Sequence, residues 1–395
     1  MLRRLALFAL LCWHFTACTT VRTNTTSKLP SKDHFRPAQL FSLSPEEQLL
    51  YYQNAEQILP TRKIEAAKQE YPLVERLQDF SHIKFLYRDT LRTLDAFMQD
   101  TRVIGLIVIR NDSVLYEKYR EGAGPKTKWI NFSVAKSVTS LLYGAAIQDG
   151  YIQSLDQKVT QFLPELTGSV YDSVSLRTLL QMSSGVEWND DPRNAESDLM
   201  KIGRLEKEKG WQGIVDYLFT LKRVAPAGER FNYNTVETGL AALILKKVIK
   251  KPLAEYLSEK IWKPFGMHED GNWVLNQSTD TEIGGCCISA TLRDHALLGV
   301  FALHNGRTLA GKQLLPTSWI QESTTPSKSL KEYGYYWWLR PNGRYYASGA
   351  FGQQVEVDPS QKIVVAVQSF WPVAFNNYYV EYLDTAIEAL MNALK

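Results

Sequence analysis

Residues 131–144, NFSVAKSVTSLLYG, place Ser133 and Lys136 three positions apart at the start of an apolar run. The run predicts a helix that begins at Ser133 and continues through Ile147 until Gly150 ends it. Residues i and i+3 of a helix lie on one face, so a neutral Lys136 amine is able to take the proton of the Ser133 hydroxyl. The amino terminus of the helix would stabilise the negative charge that develops. The stretch therefore predicts an activated serine nucleophile.

The same spacing has a structural interpretation, in which Ser133 caps the helix and Lys136 is solvated. Ser81 and Lys84 are also three positions apart but lack the surrounding context, so the spacing alone does not decide. The choice between nucleophile and cap depends on the other motifs of the chain.

Strand patterns occur towards both ends of the chain. Residues 103–110, VIGLIVIR, are rich in β-branched side chains, Asn111 and Asp112 favour a turn, and residues 113–119 alternate, which predicts a β-hairpin. Further strands are predicted over 344–348, 352–357 and 362–370, and a final helix over 378–394.

Helical patterns occur in several other segments of the chain. Segments 45–58 and 83–98 are predicted to be amphipathic helices, residues 150–285 to be mainly helical, and residues 290–304 to form another helix. Strands near both ends with helices between them predict an α/β (α+β) fold. In this fold one sheet, from about 100–120 and 343–371, carries an inserted helical lobe.

The composition excludes several classes of protein. With 395 residues, 45% hydrophobic and 22% charged, the chain can bury a large core and is not a disordered polymer. A formal net charge of +3 argues against nucleic-acid binding, because nucleic-acid binders are usually far more basic. The sequence has no Gly-x-Ser-x-Gly elbow, His-Glu-x-x-His motif, phosphate-binding Gly-rich loop or spaced Cys/His set. No metal or organic cofactor is therefore predicted.

Four further segments follow the Ser133 helix in an order that matches one known superfamily. They are residues 150–166 (GYIQSLDQKVTQFLPEL), 175–186 (SLRTLLQMSSGV), 227–233 (AGERFNY) and 284–294 (GGCCISATLRD). Over roughly residues 85–390 the chain resembles the serine β-lactamase and penicillin-binding superfamily, whose sites combine Ser-x-x-Lys, Tyr-x-Asn or Ser-x-Asn, and Lys-Thr-Gly. The strings are most similar to the branch of class C β-lactamases, serine esterases and especially 6-aminohexanoate-dimer hydrolases. The resemblance implies a β-lactamase/transpeptidase-like fold with an antiparallel sheet, and it favours the nucleophile over the cap.

The second motif departs from the family pattern. The tyrosine is kept as Tyr233, Asn234 follows it, and Thr235 stands where class C enzymes have Asn. By resemblance, the phenol of Tyr233 would share a proton with Lys136 and Ser133. Asn234 is expected to contact substrate. The replacement of the motif Asn by Thr235 is expected to affect substrate binding.

The third motif consists of Ala347, Ser348, Gly349 and Ala350. Gly349 would let the strand lie close to the substrate, and Ser348 is expected to bind substrate beside it. The resemblance assigns the oxyanion hole to the backbone N–H groups of Ala350 and Ser133.

The third motif has Ala347 where the family has Lys. That cation normally helps to bind the carboxylate of a β-lactam, so its loss favours linear amides or esters as substrates. Arg340 and Arg344 are close enough in sequence to replace the missing charge.

Two other features of the site region are suggested by position. Trp188 follows the SSGV string and is predicted to line an apolar acyl pocket. Cys286 and Cys287 are expected to be buried thiols rather than a mutual disulfide, because a bridge between neighbours is strained.

The amino terminus is predicted to be an export signal. Residues 1–17 combine Arg3 and Arg4 with an apolar stretch too short to span a bilayer as a helix. Phe15, Thr16 and Ala17 before Cys18 resemble a lipoprotein lipobox, which implies lipidation of Cys18 and a membrane anchor. The alternative is an ordinary secretory signal that is cleaved elsewhere.

Three regions are therefore predicted: a signal peptide over 1–17, a flexible tether over 18–44 and a hydrolase domain over 45–395. Thr19 follows the cysteine, which by the same resemblance favours a periplasm-facing outer-membrane location. The predicted activity is hydrolysis of a small amide or ester through an acyl-enzyme. The alternatives are a β-lactamase or D-alanyl-D-alanine peptidase, and an acylated binding or sensor protein that turns over poorly. The oligomeric state stays open.

Overall fold

The computed structural model describes residues 29–32 and 35–395. The strands are β1 (Thr61–Ile64), β2 (Val74–Glu75), β3 (Lys84–Tyr87), β4 (Thr90–Thr93), β5 (Val103–Arg110), β6 (Ser113–Tyr119), β7 (Trp129–Ile130), β8 (Gly271–Asn276), β9 (Thr281–Glu282), β10 (Ile288–Ala290), β11 (Trp338–Leu339), β12 (Tyr345–Ser348), β13 (Gln354–Asp358) and β14 (Ile363–Ser369).

The α-helices occur mostly in one long block between β7 and β8, with others near both ends of the described chain. They are α1 (Pro45–Gln53), α2 (Ala55–Ile58), α3 (Leu94–Asp100), α4 (Val134–Gln148), α5 (Val159–Phe162), α6 (Leu176–Leu180), α7 (Asp198–Lys209), α8 (Trp211–Thr220), α9 (Thr235–Ile249), α10 (Leu253–Leu257), α11 (Lys263–Phe265), α12 (Leu292–Leu303), α13 (Trp319–Ser323) and α14 (Asn377–Ala393). Short 3-10 turns cover Pro37–Phe41 and Pro164–Leu166, and a π turn covers Ser258–Trp262.

A seven-stranded sheet with the order β11-β12-β13-β14-β5-β6-β2 forms the centre of the molecule. Its pairings are antiparallel except that of β2 with β6. The predicted hairpin of β5 and β6 is confirmed, and its turn residues Asn111 and Asp112 both have positive φ. The predicted α/β class is confirmed as well: strands from distant parts of the chain meet in one sheet.

The uninterrupted apolar sequence of β5 is explained by cores on both faces of the sheet. Ile107 and Ile109 belong to the core that contains α12, whereas Leu106 and Val108 belong to the core that contains α14. Successive side chains of a strand point to opposite faces, so a strand that is covered on both sides shows no polar alternation. The sheet is therefore a central layer between helices.

Residues 150–285 are mainly helical, as predicted, because they contain α5 to α11, but they also contribute strands to a second sheet. Strand β8, within that region, pairs with β1 and β10, and β10 pairs with β7. These partners come from distant parts of the chain, so local periodicity gave no signal for them. The second sheet ends at β7, directly before the Ser133 helix.

The prediction of a helix over 83–98 is wrong for most of its length. Strands β3 and β4 form a hairpin, and only α3 is helical. Arg88 and Asp89 both adopt positive φ, which permits the tight turn. The residues of β3 alternate between exposed and buried, a period of two that the helical interpretation overlooked.

The amino-terminal predictions fall largely outside the described residues. The signal peptide over 1–17 and Cys18 lie outside them, as do residues 19–28 of the predicted tether. The tether prediction is wrong for residues 35–44, because Phe35 and Leu40 are buried in the core that contains α14. No helix within the described ranges is long and apolar enough to cross a bilayer.

Candidate active site

The backbone turns sharply just before Ser133. Strand β7 ends at Ile130, and Phe132 adopts a left-handed conformation with φ of 47° before α4 begins at Val134. The ring of Phe132 is held by the rings of Tyr52 and Phe351, each with its centroid 5.0 Å away. A left-handed conformation at a non-glycine residue is strained and persists where packing fixes it. The aromatic contacts thus fix the start of the helix.

Ser133 and Lys136 meet as the sequence predicted. Lys136 Nζ lies 3.1 Å from Ser133 Oγ, and the Ser133 side chain does not cap the helix. The capping interpretation is therefore not supported by the geometry. Lys136 is only 2% exposed, although its side chain ends in an amine.

Lys136 is held by two further contacts. Its Nζ donates to the backbone carbonyl of Gly285 at 2.9 Å and to Thr235 Oγ1 at 3.3 Å. A Cβ at position 285 would lie 2.3 Å from Thr238 Oγ1 and 3.2 Å from Lys136 Nζ, so glycine permits this close approach. Burial lowers the pKa of Lys136 to about 8, partly offset by the charge of Asp190. A substantial fraction of Lys136 is therefore neutral near pH 8.

Tyr233 lies against the same pair of side chains. Lys136 Nζ is 4.9 Å from the centroid of the Tyr233 ring, and Ser133 is close enough to the phenol to offset part of the rise in its pKa. The other side of the ring stacks on Trp338, with centroids 6.2 Å apart and planes tilted by 15°. Burial raises the pKa of Tyr233, so the phenol stays protonated at neutral pH.

The third-motif strand passes close to the start of α4. A Cβ at Gly349 would lie 2.6 Å from the backbone oxygen of Asn131, so a larger residue would push the strand away. Phe351, two positions on, packs on Phe132. Ala350 lies between these two contacts, which reach the two residues directly before Ser133.

The backbone N–H groups of Ser133 and Ala350 both lack an acceptor among the described residues. Buried donors are normally paired, so free donors on facing segments are available to an incoming oxygen. This arrangement is what the predicted oxyanion hole requires.

The two arginines near the third motif do not replace the missing lysine. Arg340 pairs with Glu356 at 2.9 Å and with Asp384 at 2.5 Å. Arg344 pairs with Glu388 and, at 3.5 Å, with Glu356. Both guanidinium groups are committed to these carboxylates. Ala347 itself is 1% exposed and belongs to the core.

Asp190 is a site residue that sequence reasoning missed. Its Oδ2 accepts from Thr235 Oγ1 at 2.6 Å, and its Oδ1 accepts from Thr235 N at 2.8 Å. Since Thr235 Oγ1 also contacts Lys136 Nζ, Asp190 is linked to the lysine through one hydroxyl. Two adjacent aspartates after Trp188 were visible in the sequence, but nothing local distinguished Asp190 from Asp191, which pairs with Arg193.

Two of the predicted substrate contacts, Trp188 and Asn234, have other contacts in the structure, and substrate binding by Ser348 stays a prediction. Trp188 is buried in the core and donates from Nε1 to Asp190 Oδ1 at 2.7 Å, so it supports Asp190 instead of lining a pocket. Asn234 is 1% exposed, and its Oδ1 caps α9 by accepting from Val236 N at 3.1 Å. Asn is a favoured capping residue, which explains its position. Ser348 lies half-buried at the end of β12, opposite Gln354 on β13.

The two neighbouring cysteines lie against each other beneath the site. Cys287 is buried in the core that contains α14, as expected, and Cys286 packs against the same core. Within the described residues, no group of three or more His, Cys, Asp or Glu side chains forms a metal site.

Comparison with known proteins places this geometry in a family. The model of the family described as Beta-lactamase matches residues 91–372, which is more than half of the chain. The chain belongs to the Beta-lactamase family. The matched range contains Ser133, Lys136, Tyr233 and the third-motif strand.

Comparison with individual proteins gives further similarities. A 6-aminohexanoate-dimer hydrolase from Paenarthrobacter ureafaciens is 28% identical over 305 residues, covering 71% of this chain and 76% of its own. A structure from Bacillus anthracis, provisionally named 6-aminohexanoate-dimer hydrolase, is 22% identical with a TM-score of 0.79. The match covers 93% of this chain and 98% of the Bacillus anthracis chain. A class C β-lactamase structure is 17% identical with a TM-score of 0.58, and the match covers 76% of this chain and 94% of the β-lactamase chain. The two structures confirm the β-lactamase/transpeptidase-like fold.

Proposed function

We propose that this β-lactamase-family chain is a serine hydrolase that cleaves an amide or ester through an acyl-enzyme. The observation that carries the proposal is the 3.1 Å contact between Ser133 Oγ and a buried Lys136 amine whose pKa is lowered to about 8. A neutral amine beside a hydroxyl can act as a general base, whereas an exposed lysine is protonated at neutral pH and cannot accept the proton.

The reaction has two halves. Lys136 takes the proton of Ser133 as Oγ bonds to the substrate carbonyl carbon, and the carbonyl oxygen becomes an oxyanion held by the N–H groups of Ser133 and Ala350. The bond to the leaving nitrogen or oxygen then breaks. Tyr233 transfers the proton that Lys136 has taken to this leaving atom. In the second half-reaction, a water molecule gives a proton to Lys136 and Tyr233 while its oxygen attacks the carbonyl carbon of the acyl group. Ser133 Oγ leaves and regains its proton.

Linear amides or esters fit the site better than β-lactams. The name of the relative from Paenarthrobacter ureafaciens refers to a linear amide dimer. The third motif has no lysine, and Arg340 and Arg344 are paired with carboxylates, so neither arginine replaces that lysine as a partner for a β-lactam carboxylate. A charge-assisted hydrogen bond contributes roughly 1.5–3 kcal/mol, so its loss would weaken β-lactam binding about 10-fold to 150-fold.

The test combines a substrate panel with a matched pair of serine variants. We expect kcat/KM to be higher for a p-nitrophenyl ester and a linear 6-aminohexanoate dimer than for nitrocefin. A fluorophosphonate probe is expected to label the wild type and Ser81→Ala, but not Ser133→Ala. A nitrocefin preference of tenfold or more would favour the β-lactamase alternative. A single burst without steady turnover would favour the acylated sensor.

We also propose that the chain is a lipoprotein anchored through Cys18, facing the periplasm from the outer membrane. The support is the lipobox-like string before Cys18 together with Thr19 after it. Cys18→Ser is expected to move the protein from the membrane fraction to the soluble fraction, because two acyl chains are lost. Cys12→Ser, inside the signal, is the control and is expected to stay with the membrane. A wild type found entirely in the soluble fraction contradicts the anchor.

A further inference from the structure

A large apolar cavity adjoins the candidate nucleophile. Its volume is about 720 Å³, and its wall includes Ser133 and Tyr233. The remaining wall is formed largely by apolar side chains of α7, α8, α9 and the amino-terminal segment, among them Phe41, Leu199, Ile202, Trp211, Ile214 and Leu243. Cavities of this size bury most of a small-molecule ligand. The hydroxyl of Ser133 thus faces a space that suits an apolar group.

The inner carboxylates of the cavity wall are already paired. Glu282 accepts from Arg62 Nη1 and from the N–H of Leu253, both at 3.0 Å. Asp190 accepts two hydrogen bonds from Thr235. Neither carboxylate is free to bind a charged substrate group, so the inner wall selects by shape and apolar contact.

One side of the cavity is closed by the amino-terminal strap, residues 35–41. The Phe41 ring lies 5.7 Å from the rings of both Phe132 and Phe351, measured between centroids. The strap precedes the range 91–372 that matches the family. It therefore adds an apolar wall from outside the matched region and joins that wall to the turn that holds Ser133.

We propose that this cavity binds a medium-to-long aliphatic acyl chain of the substrate, an inference that rests on the proposed function. The acyl group stays bonded to Ser133 between the two half-reactions, whereas the leaving group must depart and give its place to water. An apolar cavity therefore suits the group that stays.

Chain length is the direct measure of this proposal. Each methylene that moves from water into an apolar site increases kcat/KM by up to about fourfold. With the full exported protein, we expect kcat/KM to rise along p-nitrophenyl acetate, butanoate, hexanoate and octanoate. The same increase in length on the alcohol side, from ethyl to octyl acetate, is expected to change kcat/KM by less than threefold.

Gly239 allows the cavity to be filled without a clash. It lies in the cavity wall on α9, and a Cβ added there meets no atom within 4 Å. Gly239→Leu is expected to lower the octanoate-to-acetate ratio of kcat/KM at least tenfold, and Gly239→Ala to lower it less. Both changes favour the helix over glycine, so a folding defect is not expected. Phe41→Ala, in the strap, is expected to lower the same ratio.

The outcomes separate this inference from the proposed function. If kcat/KM does not change with acyl-chain length but hydrolysis still requires Ser133, the acyl-chain inference is overturned and the proposed hydrolase function stands. A chain-length preference on the alcohol side, or an octanoate-to-acetate ratio that Gly239→Leu does not change, also overturns it. Failure to hydrolyse any ester or amide in the panel overturns the proposed function and the inference with it.

Discussion

Burial sets the protonation states of the two groups that flank Ser133. It lowers the pKa of Lys136 to about 8 and raises that of Tyr233, so the amine becomes a usable base while the phenol keeps its proton. Desolvation disfavours the charged form of each group, which is why one pKa falls and the other rises. The phenol is therefore suited to relay a proton rather than to act as a phenolate.

Removing the phenolic oxygen tests that relay. In Tyr233→Phe the ring still stacks on Trp338, so the melting temperature is expected to stay close to that of the wild type. The turnover number is expected to fall about 100-fold to 10,000-fold, the usual range for a lost general acid or base. A loss of less than threefold would make Tyr233 a packing residue.

Asp190 provides a test of electrostatics at the same scale. Its negative charge raises the pKa of Lys136, so removal of the charge lowers that pKa further. Because Lys136 must be neutral to accept a proton, Asp190→Asn is expected to move the acidic limb of the kcat/KM profile to lower pH. Asp191→Asn is the matched control, since Asp191 bonds to Arg193 instead.

The pH profile of Asp190→Asn distinguishes positioning from simple structural support. A lower rate with an unmoved acidic limb would mean that Asp190 only holds Thr235 in place. A limb that moves to higher pH would contradict the assignment of Lys136 as the base.

At the level of elements, the candidate active site depends on a strand that approaches the start of a helix. Gly349 allows β12 and the residues after it to lie against Asn131, and a Cβ there would be 2.6 Å from the Asn131 oxygen. The resemblance predicted the glycine from its motif. The contact that requires it is visible only once strand and helix are assembled.

Gly349→Ala is expected to displace Ala350 and its N–H from the oxyanion position. Loss of one such donor lowers the turnover number by roughly 100-fold to 1,000-fold, which we take as the expected range. Gly124→Ala is the control, because a Cβ at Gly124 meets no atom within 4 Å. Kinetics and circular dichroism of both variants provide the measurement. Full activity in Gly349→Ala would exclude the proposed oxyanion geometry.

Across the whole molecule, a buried acid makes stability depend on pH. Glu237 is completely buried, and burial raises its pKa from 4.5 to about 8. Between these values the unfolded chain releases this proton while the folded chain keeps it. The contribution of Glu237 to stability is therefore fully present below pH 4.5 and is lost as pH rises towards 8.

Chemical denaturation of wild type and Glu237→Gln across this range measures that contribution. The free energy of unfolding of the wild type is expected to fall relative to that of Glu237→Gln as the pH rises from 4.5 to 8. The glutamine has a similar shape and does not titrate. A difference between the two that is independent of pH would contradict the raised pKa of Glu237.

The sequence by itself determined those features that depend on neighbours along the chain. The hairpin of β5 and β6 follows from β-branched residues around a turn, and the Ser133–Lys136 pair follows from the periodicity of a helix. The order of motifs was enough to identify the superfamily and with it the fold.

Only the tertiary structure decided which distant residues meet. Asp190 reaches Lys136 through Thr235, and the strap at Phe41 closes a cavity. Each of these contacts joins segments that no local period connects, and the pKa of Lys136 depends on the burial that they create. Hydrogen bonds and desolvation act through space, so the chemistry of the site depends on packing that the sequence does not display.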